Sequence, residues 1–351
     1  MKHLIVKVNA IILIFAICII MTGCNANKKQ SDYKLGIEAL EQQNYNEALN
    51  HFKASYEKGE EVRLSLRGEG LAYLGLSKYD EALSSFKSAL EESNGLVKNI
   101  DYDINYYMAV AEFKSGKIED AIKTYTNIIA VNKNEADAYY LRGKSYLELG
   151  KPDEAKADYD KATELDKDNS RLYINIHDDL LAKGYESDAK SYINKGIASV
   201  SKPSTYELGI FNYYLGDYTQ ARNYFEESNE TKKTEEGIIY LAKTYVALDD
   251  KNYAIALYEE FTENNKTADI VYNEIGLLKY ENKDYEGALA AFKSGLENEN
   301  AVSKQSLLYN VVVTYEMMGD FSEAKKQMEL YLEQFPGDEK AKREYVFLST
   351  R

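Results

Sequence analysis

Three stretches of this sequence hold residue types that could do chemistry, and each can be weighed by its spacing. Arg142-Gly143-Lys144-Ser145 imitates the end of a phosphate-binding loop. The first glycine of that motif would fall on Ala138, and the surrounding pattern is helical with no preceding strand, so no ring of backbone amides can form. Asp101, Asp103, Asn105 and Glu112 have the spacing of a calcium loop, but Tyr106 stands where the sharp turn needs glycine. These acids read instead as the start of a helix, where they meet its positive end. His177-Asp178-Asp179 could offer one imidazole and two carboxylates. Neighbours on a helix point in different directions and cannot converge on one ion. No serine, cysteine or carboxylate pair stands with a base at a recognisable spacing. No catalysis, metal or cofactor is expected.

The N-terminus carries chemistry of another kind. Lys2, His3 and Lys7 make a short basic start, and residues 11–21 are an unbroken apolar run. That run has the length of a signal-peptide core and falls short of a membrane span. An uncleaved membrane helix over residues 4–21 would bury Lys7 and Asn9 at a cost. Met21-Thr22-Gly23-Cys24 resembles the lipobox of bacterial lipoproteins, with Met21 where leucine is more usual. The resemblance implies a signal peptide over residues 1–23, and a Cys24 that carries a diacylglyceryl thioether and an amide-linked acyl chain. Two or more chains hold a protein stably to a bilayer. Residues 24–31 read as a polar tether behind the lipid, and an extracytoplasmic, lipid-anchored location follows. Cys18 would leave with the signal, so no disulfide is expected.

Composition narrows the class. The formal charge is −15, and without residues 1–23, which contain Lys2 and Lys7 and no acid, it is −17. Such an acidic balance argues against nucleic acid and against a polybasic membrane face. Three prolines, twenty glycines and no tryptophan in 351 residues fit a nearly all-helical body with short turns. Tyrosine is abundant, at 32 residues.

The elements that must position these side chains follow from a period. Ala48, Ala82, Ala121, Ala155, Ala189, Ala221, Ala254, Ala288 and Ala324 recur at intervals of 32 to 39 residues. Four residues after each alanine comes a large side chain, such as Phe52, Phe86, Tyr159, Phe225 or Phe292, so small and large alternate on one helix face. Twelve before the alanine comes a residue that is usually small, as in Gly36, Gly70, Gly143, Gly209 and Gly276, on a preceding helix. Five before it come Gly116, Gly150, Gly184, Gly216 and Gly319, suited to a left-handed helix end.

Leu208-Gly209, Tyr213-Tyr214, Ala221 and Phe225, like Tyr139, Gly143, Tyr146, Ala155, Tyr159 and Ala162, resemble the tetratricopeptide repeat. The resemblance implies an all-α fold: a right-handed superhelical solenoid of about nine helix pairs over residues 32–336, with a C-terminal capping helix in residues 337–351. Asp338 would cap that last helix, and a polar outer face would close the stack. The fifth unit departs most, with His177, Ile193 and Gly196, and is expected to bend or loosen. Five extra residues around Asn94-Gly95 lengthen one loop.

In this family the first helix of each pair lines a concave surface. The residues fifteen, eleven and eight before each alanine make one stripe by helical spacing, and its tyrosines, Tyr33, Tyr106, Tyr140, Tyr206, Tyr213, Tyr280 and Tyr309, are placed there as a groove for protein or peptide segments. Packing of those rings between first helices is the alternative. The family's basic clamp for acidic tails is replaced by Tyr33, Ile37 and Leu40, so a chaperone adaptor is not expected. The reading is a membrane-anchored interaction scaffold without nucleic-acid or small-molecule ligands. Its rivals are a subunit of an envelope or secretion assembly complex and a glycan-binding surface lipoprotein, the latter disfavoured by the lack of tryptophan.

Overall fold

A computed structural model describes residues 30–93, 99–298 and 301–351. The signal-like segment, Cys24, most of the tether and the loop at Asn94-Gly95 lie outside the described residues. Within them the chain forms nineteen helices and no strand. No described helix is long and apolar enough to cross a membrane.

The chain divides into two compact units, residues 1–201 and 202–351. In the first, the leading helices of the pairs are α1 (Asp32–Glu41), α3 (Val62–Gly75), α5 (Asn99–Lys114), α7 (Ala136–Glu148) and α9 (Ser170–Ala182). Their followers are α2 (Tyr45–Glu57), α4 (Tyr79–Glu91), α6 (Ile118–Val131), α8 (Pro152–Leu165) and α10 (Glu186–Ser199). In the second, α11 (Thr205–Leu215), α13 (Glu235–Ala247), α15 (Asp269–Glu281) and α17 (Lys304–Met317) lead. They are followed by α12 (Tyr218–Thr231), α14 (Lys251–Asn264), α16 (Tyr285–Leu296) and α18 (Phe321–Gln334), and α19 (Glu339–Leu348) ends the chain.

All nine alanines are fully buried. The small residue of the leading helix meets the large one of its follower: a Cβ at Gly36 would lie 2.8 Å from the Phe52 ring, and one at Gly143 would lie 2.9 Å from Tyr159. Glycine there is a packing requirement, because the ring occupies the volume a side chain would need. The turn between partners passes through a left-handed residue in every unit. Glycine supplies it at 116, 150, 184, 216 and 319, while Gln43, Ser77, Asp249 and Lys283 adopt it with φ of 62°, 57°, 66° and 62°.

The fifth unit stays closed. His177 and Ile193 are buried, Gly196 with them, and the boundary between the two units follows this pair at residue 201. At the C-terminus, the Asp338 side chain accepts from the amides of Lys340 and Ala341, each at 3.0 Å, and caps α19 as its sequence requires. The outer face of α19 is less polar than expected. Val346 is 64% and Phe347 42% exposed, with the Arg351 guanidinium 4.8 Å from the Phe347 ring.

Candidate functional site

The leading helices carry the candidate side chains, and neighbouring leading helices bind one another through polar groups. Arg63 and Arg67 of α3 pair with Asp101 and Asp103 of α5. Thr124 Oγ1 donates to Glu112 Oε2 at 2.8 Å. Three of the four residues with calcium-loop spacing are thus spent on contacts within the stack, and the fourth, Asn105, donates from Nδ2 to the Asp101 carbonyl at 2.7 Å. Arg142 donates from Nε and Nη2 to both oxygens of Asp158 at 2.7 Å, a planar two-point pair that holds α7 on α8. Lys144 reaches Asp179 of α9, which also accepts the Tyr140 hydroxyl at 2.9 Å. Burial raises the Asp179 carboxyl above its usual range, and Lys144 and Tyr140 oppose that rise. The resemblance of residues 142–145 to a phosphate loop is therefore absorbed by helix packing. His177 is buried, with Nδ1 3.0 Å from Asp178 Oδ1. Among the described residues no three acids, histidines or cysteines are grouped to hold a metal.

The tyrosines of the expected groove are placed unevenly. Tyr33, Tyr106, Tyr140 and Tyr206 each set their ring against the large residue of the following helix, Phe52, Tyr125, Tyr159 and Phe225, at centroid distances of 5.9 to 6.3 Å. Tyr106 and Tyr140 are 7% and 4% exposed, so their rings belong to the core. Tyr213 packs edge-on to Tyr214, Tyr218 and Tyr240. Tyr280 packs on Tyr285 at 5.5 Å, and Tyr309 on Tyr331 at 5.8 Å with Lys340 over its ring. Of the seven, Tyr33, Tyr206, Tyr213, Tyr280 and Tyr309 are partly exposed. Cys24 lies outside the described residues.

Sequence reasoning passed over the apolar side chains that these helices leave in solvent. Ile270 and Leu277 of α15 and Met317 of α17 are exposed. They stand eighteen, eleven and seven residues before their alanines, offsets that fall on one line of a helix. The eleven-before register of Leu277 belongs to the expected stripe, and reading the eighteen- and seven-before registers as well would have found Ile270 and Met317. It would also have found Asp137, at the eighteen-before position of α7, whose carboxyl is pushed up to about 7 by burial and by Glu135 and Asp166.

Comparison with known proteins agrees with this architecture. Tetratricopeptide repeat models match residues 33–96 and 136–169, and a TPR repeat model matches residues 110–150. The chain carries tetratricopeptide repeats in an all-helical solenoid fold, a type suited to protein–protein interaction. A tetratricopeptide repeat protein from Parabacteroides merdae is similar at a TM-score of 0.48 and 18% identity, over 72% of this chain and 98% of that one. MamA from Desulfovibrio magneticus is similar at 0.41 and 19% identity, over 48% and 92%. Human protein O-mannosyl-transferase TMTC3 is 33% identical over 76 residues, 21% of this chain. The chain spans 8% of the length of that relative, and the same holds for its mouse counterpart.

Proposed function

We propose that this chain is a membrane-anchored, extracytoplasmic scaffold that gathers other proteins of the bacterial envelope on the face of its leading helices. The observation that carries the reading is the line of exposed apolar side chains on that face in the second unit, Ile270, Leu277 and Met317, beside the partly exposed Tyr280. Apolar groups grouped in solvent on one face gain free energy when a partner covers them. Tyrosine at the same face adds large, stiff contact area with a polar tip.

Crosslinking in intact cells followed by mass spectrometry tests this, comparing wild type with Leu277→Asp, Met317→Asp. These positions are better probes than Tyr206 and Tyr213, whose rings pack on Phe225, Tyr214, Tyr218 and Tyr240 and support the stack. The expected result is loss of the captured neighbours; capture of the same neighbours by both proteins would sink the reading. The anchor is tested separately. Incorporation of an alkynyl fatty acid, and partition into membranes, should both vanish in Cys24→Ser, and label retained by that variant would remove Cys24 from the proposal.

A further inference from the structure

The leading helix of the last pair ends on two methionines. Met317 and Met318 stand seven and six residues before Ala324, and no other unit has sulfur at either register. Four units use a charged residue at the first of them, Glu41, Lys114, Glu148 and Glu281. Val311 and Val312 hold another side of α17 in the core, and Met317 is left 51% and Met318 39% exposed. Tyr315 fixes the same turn, its hydroxyl accepting from Lys293 Nζ at 2.8 Å, and Gly319 turns the chain away directly after it at a φ of 80°. Two thioethers are thus held in solvent on an anchored turn. The other methionines of the described residues are placed differently: Met328 is fully buried, and Met108 packs against the core of the first unit.

Among the exposed apolar groups of this face, Ile270 and Leu277 are inert alkyls, and only the thioethers react with mild oxidants. We infer that Met317 and Met318 form an oxidation site that switches the leading-helix face of the second unit from apolar to polar. The inference rests on the reading of that face as a protein-binding surface and names its regulation. The oxidant is hydrogen peroxide. A lone pair of the methionine sulfur bonds to one peroxide oxygen as the O–O bond breaks, so sulfur loses two electrons and the peroxide gains them. The departing hydroxide takes the proton from the transferred oxygen and leaves as water. The product is a sulfoxide, a polar group with a hydrogen-bonding oxygen, and a partner that covers Met317 must then strip water from it. A methionine sulfoxide reductase reverses the change, two thiols giving the electrons and becoming a disulfide while the oxygen leaves as water.

The test has a chemical arm and a binding arm. The full chain in neutral detergent is treated with hydrogen peroxide, and peptide mass spectrometry follows the oxygen gained at each methionine. Met317 and Met318 should oxidise about tenfold faster than Met328, or more. For binding, the crosslinking of intact cells is repeated with and without a brief peroxide pulse. Wild type is compared with Met317→Leu, Met318→Leu, changes that conserve volume, cannot take the oxygen and should leave untreated capture as it is in wild type. Peroxide should cut the captured neighbours about tenfold in wild type and less than about twofold in the leucine variant. Oxidation of Met317 no faster than that of Met328, no loss of capture in wild type, equal loss in both proteins, or loss on the leucine changes alone would overturn the inference and leave the scaffold reading standing. Failure of the scaffold reading has another signature: untreated wild type and the aspartate variants of Leu277 and Met317 would capture the same neighbours, and this inference would fall with it.

Discussion

Asp137 shows how one side chain reports on its surroundings. Burial, then Glu135 and Asp166, push its carboxyl up to about 7 from an ordinary 3.8, and Tyr106 faces it as a neutral phenol. Because the folded state favours the protonated form, this group's contribution to stability is whole below about pH 4 and is lost as pH rises through 7. Asp137→Asn has no such loss. The gap in urea midpoint between variant and wild type should therefore widen from pH 4 to about pH 7 and level off above; a gap independent of pH would refute the assignment. Asn229 makes a second case. It is buried, and neither its Nδ2 nor its Oδ1 finds a partner. Other units place Leu90, Ile129 or Leu296 at the same register, eight after the alanine. Asn229→Leu should raise unfolding free energy by about 1 to 2 kcal/mol, measured by chemical denaturation, since it removes an unmet polar demand.

At the scale of the helix pair, the left-handed turn and the crossing are the two fixed features. Every unit needs a positive φ five residues before its alanine, and four units meet that need without glycine. An L-residue held there costs about 1 to 2 kcal/mol that glycine avoids, less what glycine loses in chain entropy. Lys283→Gly should accordingly stabilise by roughly 0.5 to 1 kcal/mol. A fall in melting temperature would mean that Lys283 gains something from its conformation. The crossing tolerates no added bulk. Ala155 is fully buried and its carbonyl lies 3.1 Å from where a Cβ at Gly143 would stand. Ala155→Leu should cost about 1 to 3 kcal/mol, and Gly276→Ala, which drives a methyl into the Phe292 ring, a similar amount.

Across the whole molecule, stability in such an array is a sum of neighbouring contacts, and the chain divides at residue 201 into two compact units. Ala155→Leu falls in the first and Gly276→Ala in the second, and they share no packing partner. Their costs should add within about 0.5 kcal/mol in the double variant. A coupling of 1 kcal/mol or more in denaturation would show that strain passes between units.

The period, the helix pairs, the turn glycines and the Asp338 cap were legible in the sequence, because each depends on residues within one repeat. A small residue twelve before the alanine and a ring four after it meet inside a single pair, so spacing alone places both. The fate of the tyrosines was not legible. Tyr106 and Tyr140 have the register of a groove and lie in the core, because the following helix presents Tyr125 and Tyr159 to their rings. Nor did the sequence alone distinguish Asp103, which has Arg67, from Asp137, which pairs with no cation among the described residues. That difference arises between one repeat and the next, where the side chain opposite each carboxylate is chosen by the stacking of leading helices, and only the tertiary structure brings those two positions together.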